Sequence, residues 1–268
     1  MAPRSILFEE LSRTELRRLA EADALAVLPI GATEQHGPHL PTGTDKFHAE
    51  WVAHAAARTA AEQIPVVVVP TLAYGSSAHH MPFGGTMSLR TKTFYDVVYQ
   101  LCESLVDDGF RRIFIVNGHG GNHELVVLVA RDLALARPVA IAGSSWWALA
   151  WEPLGAAGAH ERGRFPGHAG LFETSLVMAM RPDLAATFDV LPHRDDPGTS
   201  DPRAFGGAYR SEIHGFWQSI DGFTDSPDLA DPDQGRRWLD TAAEALAAAF
   251  VEFHAQAHGR GADPDPYE

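Results

Sequence analysis

The 268 residues of the chain suffice for one large α/β domain, and 45% hydrophobic with 21% charged residues is an ordinary balance for a soluble globular protein. The 35 acidic and 21 basic residues give a formal net charge of −14 without a Lys/Arg stripe, which disfavours a nucleic-acid partner held by phosphate contacts. The one cysteine, Cys102, cannot form an internal disulfide, and no stretch approaches the ~18 apolar residues that cross a bilayer, so we expect a cytoplasmic protein without a membrane partner.

Apolar periodicity predicts strands that alternate with helices. In chain order, the predicted elements are a surface helix over 8–22, a buried strand over 24–30, a helix over 45–63, a β-branched strand over 65–72, a helix over 93–110, a strand over 113–116, a helix over 125–136, a short strand over 139–142, an apolar helix up to 180 and a closing helix over 234–253. Residues 181–234 are predicted to be irregular and 258–268 to form a flexible tail. The alternation favours a single domain over 1–268, with a mainly parallel sheet covered by helices on both faces.

The first predicted strand runs directly into metal-capable side chains. If the backbone stays extended past Ile30, Glu34 and His36 point to the same side, because successive strand residues alternate. The next eight residues contain two Gly and two Pro, which indicates a rigid loop that could fold Asp45, a good helix N-cap, back toward them. Two carboxylates and an imidazole suit zinc, manganese or iron(II). The alternative is that Glu34 and His36 are solvated loop residues and that Asp45 only caps a helix.

Three further polar segments also follow predicted strands. These are the Gly/Ser/His loop over 74–89, which contains His79 and His80, the turn over 117–124, which contains His119, and residues 143–147, which end in Trp146 and Trp147. Because ligands bind beyond the carboxyl ends of parallel strands, we expect these segments to meet the Glu34 loop on one rim of the sheet. A phosphate-binding loop is an alternative for 117–124, since Gly-rich turns between a strand and a helix also hold anions.

The segments on this rim resemble the creatininase (creatinine amidohydrolase) family. The resemblance rests on GATEQHGPHLP (31–41) with Asp45, YGS (74–76), HH (79–80) with GTMSL (85–89), NGHGGN (117–122), and HAG (168–170) with ETS (173–175). These segments occur in the family order and cover most of residues 24–180. The resemblance implies a three-layer αβα fold, commonly assembled as a homohexamer, and two divalent metal ions in a hydrolase of small-molecule amides.

The resemblance also implies the metal ligands, position by position. It implies that Glu34, Asp45 and His119 hold one metal, and that His36 and the bridging Asp45 hold the other. Creatininase itself has a glutamate two residues after the histidine that matches His119, whereas this chain has Gly121 there. This difference places creatinine in doubt as the substrate.

The resemblance is closer to family members with a His-Gly-Gly-Asn turn, in which Glu173 can supply the missing ligand. These members include formamide hydrolases of flavin precursor synthesis and a peptidase that trims a precursor in mycofactocin maturation. The five candidate ligands comprise three carboxylates and two neutral imidazoles, with a summed charge of about −3. Two dications and a bridging hydroxide would bring the net charge of the site near zero.

Catalytic and substrate-binding roles are assigned to residues around these ligands. His168 is the first candidate for proton transfer, and Glu173 and His80 are the other catalytic candidates. The candidates for substrate binding are His80, Ser77, Trp146 and Trp147. A helix-terminal role is the alternative for His168, a loop-buttressing role for His80, and a place in the core or a subunit interface for the tryptophans. Asn117 and Ser175 could orient ligands; His39 and His123 are expected in an outer shell or at the surface, and His193, His214, His254 and His258 at the surface.

The sequence therefore predicts a dinuclear metal-dependent amidohydrolase that cleaves a non-peptide C–N bond of a small cyclic amide or formamide by a metal-bridged hydroxide. Two divalent ions per chain are expected, with zinc first and manganese or iron as alternatives. The competing hypotheses are a metallopeptidase that trims a short peptide terminus, a creatinine amidohydrolase, and a non-catalytic metal-binding protein of the same fold.

Overall fold

A computed structural model of the protein describes residues 4–161, 163–185, 191–194 and 213–258. Its centre is a parallel sheet with the strand order β2-β1-β3-β4. The strands are β1 (Leu25–Ile30), β2 (Val66–Val68), β3 (Arg112–Asn117) and β4 (Ala140–Ser145). Every residue of the two central strands, β1 and β3, is buried, as expected for continuous apolar runs in a sheet that is covered on both faces.

Helices cover the sheet on both faces. Those described are α1 (Arg13–Glu21), α2 (Thr44–Ala60), α3 (Thr91–Asp107), α4 (His123–Ala136), α5 (Trp146–Leu149), α6 (Trp151–Ala156), α7 (Leu171–Met180), α8 (Pro182–Ala185), α9 (Phe216–Ser219) and α10 (Pro232–His258), with 3₁₀ turns at Phe8–Glu10, Ala78–Phe83, Gly120–Asn122 and Pro227–Leu229. Within these ranges, none of the helices has the length and apolarity that a membrane span requires.

Two hydrophobic cores show that the fold has three layers. Leu25 and Val27 of β1 pack in one core with residues of α2, α7 and α10. Ala26 and Leu28 pack in the other with residues of α1, α3 and α4. Alternate residues of one strand therefore face opposite helical layers, which confirms the predicted αβα sandwich and its parallel sheet.

Several predicted boundaries are corrected. The first predicted helix is divided in two, because Ser12 forms a capping box with Glu15 and starts α1 there. The strand predicted over 65–72 ends at Val68, before Pro70, which has no N–H for a ladder bond, and Leu72 forms only an isolated bridge to Ile30. β4 is longer than predicted and α5 follows it at once.

The C-terminal third also differs from the prediction. α8, α9 and a 3₁₀ turn lie in the segment predicted to be irregular, of which residues 186–190 and 195–212 lie outside the described residues. The closing helix α10 starts at Pro232 and runs to His258, and 259–268, the main part of the predicted tail, also lie outside the described residues.

Candidate metal centre

The five side chains predicted as metal ligands meet at the carboxyl end of the sheet. Nε2 of His36 lies 3.2 Å from Oδ1 of Asp45 and 3.6 Å from Oε2 of Glu173. Nδ1 of His119 lies 3.0 Å from Oδ2 of Asp45 and 3.3 Å from Oε1 of Glu34. All five residues are buried. Asp45 thus lies between two imidazoles, with one carboxylate oxygen facing each.

Close backbone packing brings Asp45 to the ends of β1 and β3. A Cβ added to Gly31 would lie 2.5 Å from the backbone of Lys46, and one added to Gly118 would lie 2.7 Å from the carbonyl oxygen of Asp45. Both strand ends therefore need glycine for α2 to start at this distance. The backbone N–H of Glu34 donates to the carbonyl of Thr42 at 2.9 Å, which closes the intervening loop.

Buried atoms in this cluster lack hydrogen-bond partners. Across the described residues, both carboxylate oxygens of Glu34, Oδ2 of Asp45 and Nε2 of His36 have no partner with acceptable geometry. Carboxylates about 4 Å apart repel by roughly 4 kcal/mol per pair at an effective dielectric constant of ~20. A divalent cation would satisfy these atoms and turn the repulsion into attraction, so the residues present fit a metal centre.

The pKa values of the cluster show how strongly it attracts positive charge. Burial raises the pKa of Glu34, and it raises that of Glu173 to about 8. Burial also disfavours the charged forms of Asp45 and His36, but the attraction between the carboxylate and the imidazolium outweighs this effect. The pKa of Asp45 is therefore lowered, and that of His36 is raised to about 10. A metal ion can take the place of the protons held here.

Among the residues that the structure describes, three sets of side chains place their ligand atoms within 4.8 Å of one another. One set is His36, Asp45 and Glu173, which matches one of the two predicted ligand groups. The others are Glu34 with His79 and His119, and Glu34 with His36 and His168. The structure thus adds His79 and His168 to the groups that could contact a metal.

Two stacked imidazoles lie beside the carboxylate of Glu34. Nε2 of His80 is 3.5 Å and Nδ1 of His168 is 3.7 Å from Oε1 of Glu34, and the two rings stack with centroids 4.2 Å apart. Trp217 of α9 contacts both rings edge-on, at 4.6 and 5.2 Å between centroids. Neither Trp217 nor the buried Gln35, which contacts both histidines, was among the predicted site residues.

Trp146 and Trp147 do not form the predicted aromatic wall. Both are buried in the core between the sheet and α10, where Trp146 packs against Phe172 and His48. The reason is that α5 begins directly after β4, which turns both indoles inward. This packing corrects the assignment to substrate binding and agrees with the alternative of a core position. Ser77 is buried too, with its hydroxyl 3.2 Å from Nε2 of His119.

The residues expected behind the candidate ligands differ in what they contact. Asn117 donates to the carbonyl of His119 at 2.7 Å and accepts from its N–H at 3.1 Å, which supports the predicted orienting role. Ser175 instead bonds to backbone atoms of Leu171 and Asp231. His39 lies 3.1 Å from Thr174 and His123 2.8 Å from Ser145, each through a ring nitrogen.

Of the four histidines predicted at the surface, His193 and His214 are exposed and the side chain of His258 lies outside the described residues. His254 is a correction, because it is buried and its Nε2 lies 3.0 Å from the carbonyl oxygen of Asp23.

The Gly-rich turn over 117–124 is not shaped as a phosphate cradle. A Cβ added to Gly121 would lie 2.3 Å from the carbonyl oxygen of Ser76 and 2.5 Å from Nε2 of His119. Glycine is required here because the turn packs against the neighbouring loop. The buried carboxylates of Glu34 and Asp45 would also repel an anion, so the site favours a cation.

Comparison with known proteins shows that most of the chain is similar to one family. The family model described as "Creatininase: Creatinine amidohydrolase" matches residues 9–250. A mycofactocin precursor peptide peptidase of Mycobacterium tuberculosis is 34% identical over 179 residues, which are 65% of this chain and 65% of the peptidase. Creatinine amidohydrolase of Pseudomonas putida is 32% identical over 217 residues, 74% of this chain and 80% of that enzyme.

Solved structures agree with this placement. A mutant creatininase of the Zn-Zn type superposes with a TM-score of 0.75 and 27% identity, and a manganese creatininase with a TM-score of 0.74 and 26% identity. Each comparison covers 93% of this chain and 98% of the other. A creatinine amidohydrolase homologue from Bacteroides fragilis gives a TM-score of 0.72 with 25% identity over 99% of this chain and the whole of the other.

Proposed function

The chain belongs to the creatininase family, and from this premise we propose that it is a dinuclear, divalent-metal-dependent amidohydrolase that cleaves a non-peptide C–N bond of a small cyclic amide or formamide. The observation that carries the proposal is the position of Asp45, whose two oxygens face His36 and His119 at 3.2 and 3.0 Å. A carboxylate in that position can bridge two cations. Glu34, close to His119, and Glu173, close to His36, would complete the two ligand groups.

The proposed ligands form two groups that share Asp45. Glu34, Asp45 and His119 would hold one ion, and His36, Asp45 and Glu173 the other, with zinc first and manganese or iron as alternatives. When bound, the ions would activate water and polarise the amide carbonyl. The mixed carboxylate and imidazole donor set, without a thiolate, suits these metals.

His168 is proposed to move the proton. Its Nδ1, close to the oxygen of Glu34, can accept a proton from the attacking water as the new C–O bond forms. The same proton can then pass to the departing nitrogen as the C–N bond breaks, so that the products are a carboxylic acid and an amine. His80 lies beside it and can orient the substrate, while Trp217 covers both rings and limits access of water.

The experiment is removal and return of the metal. We expect chelation to abolish hydrolysis of a responsive member of a formamide and cyclic-imide panel, and zinc or manganese to restore it. Asp45→Asn should prevent restoration because it removes the bridging charge, whereas His214→Gln, at an exposed position, should behave as the unmodified protein. Activity that survives complete removal of metal would refute the proposal. Less than one ion per chain without any turnover would favour the non-catalytic hypothesis.

A metallopeptidase is the second candidate. The 34% identity to mycofactocin precursor peptide peptidases favours it, as does Gly121 at the position where creatininase has a glutamate. Short peptides and creatinine tested beside the formamide panel separate the three activities by comparison of kcat/KM. A homohexamer, which rests on the family resemblance, is proposed as the assembly and is checked by light scattering.

A further inference from the structure

Gln35 stands between two proposed metal ligands in the sequence, and its carboxamide lies against two imidazoles. The side chain is buried, and Oε1 accepts a hydrogen bond from the backbone N–H of Gly37 at 2.9 Å. Because a backbone N–H can only donate, this contact determines which end of the carboxamide is oxygen. The amide nitrogen must therefore be at the other end.

The amide nitrogen of Gln35 has three neighbours for two hydrogens. Nε2 lies 3.0 Å from the carbonyl oxygen of Gly222, 2.8 Å from Nδ1 of His80 and 3.1 Å from Nε2 of His168. The carbonyl can only accept, so it takes one hydrogen. One hydrogen remains, and only one of the two imidazoles can receive it.

The backbone decides between the two imidazoles. Nε2 of His168 also lies 3.0 Å from the main-chain carbonyl oxygen of Gln35, which is an obligate acceptor. Nε2 of His168 must therefore carry a hydrogen, and it cannot accept one from the carboxamide. The remaining amide hydrogen goes to Nδ1 of His80, which is also the shorter contact.

We propose that Gln35 is a positioning residue that holds His80 as the Nε2–H tautomer, while its own carbonyl holds His168 as the Nε2–H tautomer. His80 then presents an N–H toward Glu34, at 3.5 Å, and His168 presents the lone pair of Nδ1, at 3.7 Å. The centre meets one donor and one acceptor from two stacked rings. The consequence for catalysis rests on the proposed function, in which His168 accepts a proton and His80 orients the substrate.

The environment of Gln35 holds the carboxamide in this position. Gly222 has φ +70°, and a Cβ added there would lie 2.7 Å from Oε1 of Gln35. Trp217, five residues earlier, contacts the rings of both His80 and His168. The segment from Trp217 to Gly222 thus lies against Gln35 and both imidazoles. Gly222 is 187 positions from Gln35 in the sequence.

The test reads the tautomers directly. In zinc-loaded protein labelled with ¹⁵N-histidine, long-range ¹H–¹⁵N correlation spectra distinguish protonated from unprotonated ring nitrogens, and His80→Gln and His168→Gln assign the signals. We expect Nε2 to be protonated in both residues. Gln35→Met removes the amide donor, so His80 should populate both tautomers, whereas His168 should not change, because its partner is a main-chain carbonyl. His168 thus serves as an internal control.

A second variant covers the case in which Gln35→Met does not fold. In Gln35→Glu the carboxylate can only accept, so the hydrogen of His80 should move to Nδ1. Both variants should lower kcat by roughly 10- to 100-fold, the usual effect of losing such a partner, with an unchanged number of zinc ions per chain and little change in KM. A rise in KM with unchanged kcat, or loss of zinc with unchanged tautomers, would indicate a merely structural role and overturn the inference.

The unmodified protein gives a further decisive reading. Protonation of Nδ1 in His80, or spectra of His80 that are identical in the unmodified protein and in the variants, would overturn the assignment to Gln35. If no amide is turned over but the tautomers are those expected, the proposed function fails while the role of Gln35 stands. The two ideas therefore fail separately.

Discussion

The carboxylate of Asp225 lies at the start of α7, where Oδ2 accepts a hydrogen bond of 3.1 Å from the backbone N–H of Leu171. Its Oδ1 accepts from the hydroxyl of Thr224 at 2.7 Å, and that hydroxyl in turn accepts from the N–H of His168 at 2.9 Å. Asp225 is fully buried. These hydrogen bonds connect Thr224 and Asp225 to His168 and to the first turn of α7, in which Glu173 lies.

Asp225→Ala should therefore lower both stability and metal affinity. Loss of a helix-capping carboxylate decreases the free energy of unfolding by about 1 to 2 kcal/mol. Glu173 lies in the first turn of α7, so we also expect the affinity for the proposed second metal ion to fall by roughly tenfold. Urea unfolding and zinc titration measure the two effects. Asp228→Ala, at an exposed position of the same segment, is the matched control, and equal behaviour of both variants would contradict the prediction.

Trp217 should act on catalysis through the two rings it covers. Removing an aromatic contact of this kind loses about 1 kcal/mol, which corresponds to a decrease of about fivefold in kcat/KM. The decrease should be larger if water reaches the two imidazoles after the indole is removed. We expect Trp217→Ala to show this loss and Trp217→Phe to retain most of the activity. Trp151→Phe, in the contact with His160, is the control away from the centre. Full activity of Trp217→Ala would show that the cover is not needed.

The strands, and the meeting of the candidate ligands at one edge of the sheet, could be predicted for a simple physical reason. A continuous apolar run such as β1 has few alternatives to a buried parallel strand, and parallel strands deliver their carboxyl ends to one edge. Glu34 and His119 are therefore brought together by topology alone. Their contact with Asp45 needs the close packing at Gly31 and Gly118, for which the Gly-rich strand ends were a visible signal.

The site residues that sequence reasoning does not find depend on packing between distant segments. Trp217 and Gly222 belong to a stretch with weak periodicity, and nothing local indicates that it folds over His80 and Gln35. The two tryptophans of α5 were misplaced because their orientation depends on where β4 ends. His254 could have been assigned correctly, since it follows the buried Phe250 by four residues on α10 and so lies on the same helical face.

Cys102 should be unreactive in the folded protein. It is buried on α3, and burial raises the pKa of its thiol to about 12. An unfolded cysteine titrates near 8.5, so at pH 8 the thiolate forms readily only after unfolding. We expect no modification by a thiol reagent in buffer and complete modification in denaturant, with the rate following the unfolding transition measured by circular dichroism. Rapid modification without denaturant would mean that α3 opens locally.

His48 should make the protein less stable in mild acid. It is buried on α2 against Trp146, and burial, opposed by Asp45 and reinforced by His36, lowers its pKa to about 3. An imidazole in the unfolded chain titrates near 6.5, so below that pH the unfolded state binds a proton that the folded state resists. This term is absent above the unfolded pKa, and it lowers the free energy of unfolding as the pH falls from about 6.5 toward 3. Between pH 7 and pH 5 it amounts to about 2 kcal/mol.

The measurement is urea unfolding of metal-free protein at pH 7 and pH 5, because acid also displaces metal ions and would mix the two effects. His48→Leu should lose about 2 kcal/mol less than the unmodified protein over this interval, whatever its stability at pH 7. His214→Gln, at an exposed position, should lose as much as the unmodified protein. If His48→Leu shows the same pH dependence as the unmodified protein, the folded state does not resist protonation of His48. The prediction that burial beside Trp146 lowers the pKa of this imidazole would then be wrong.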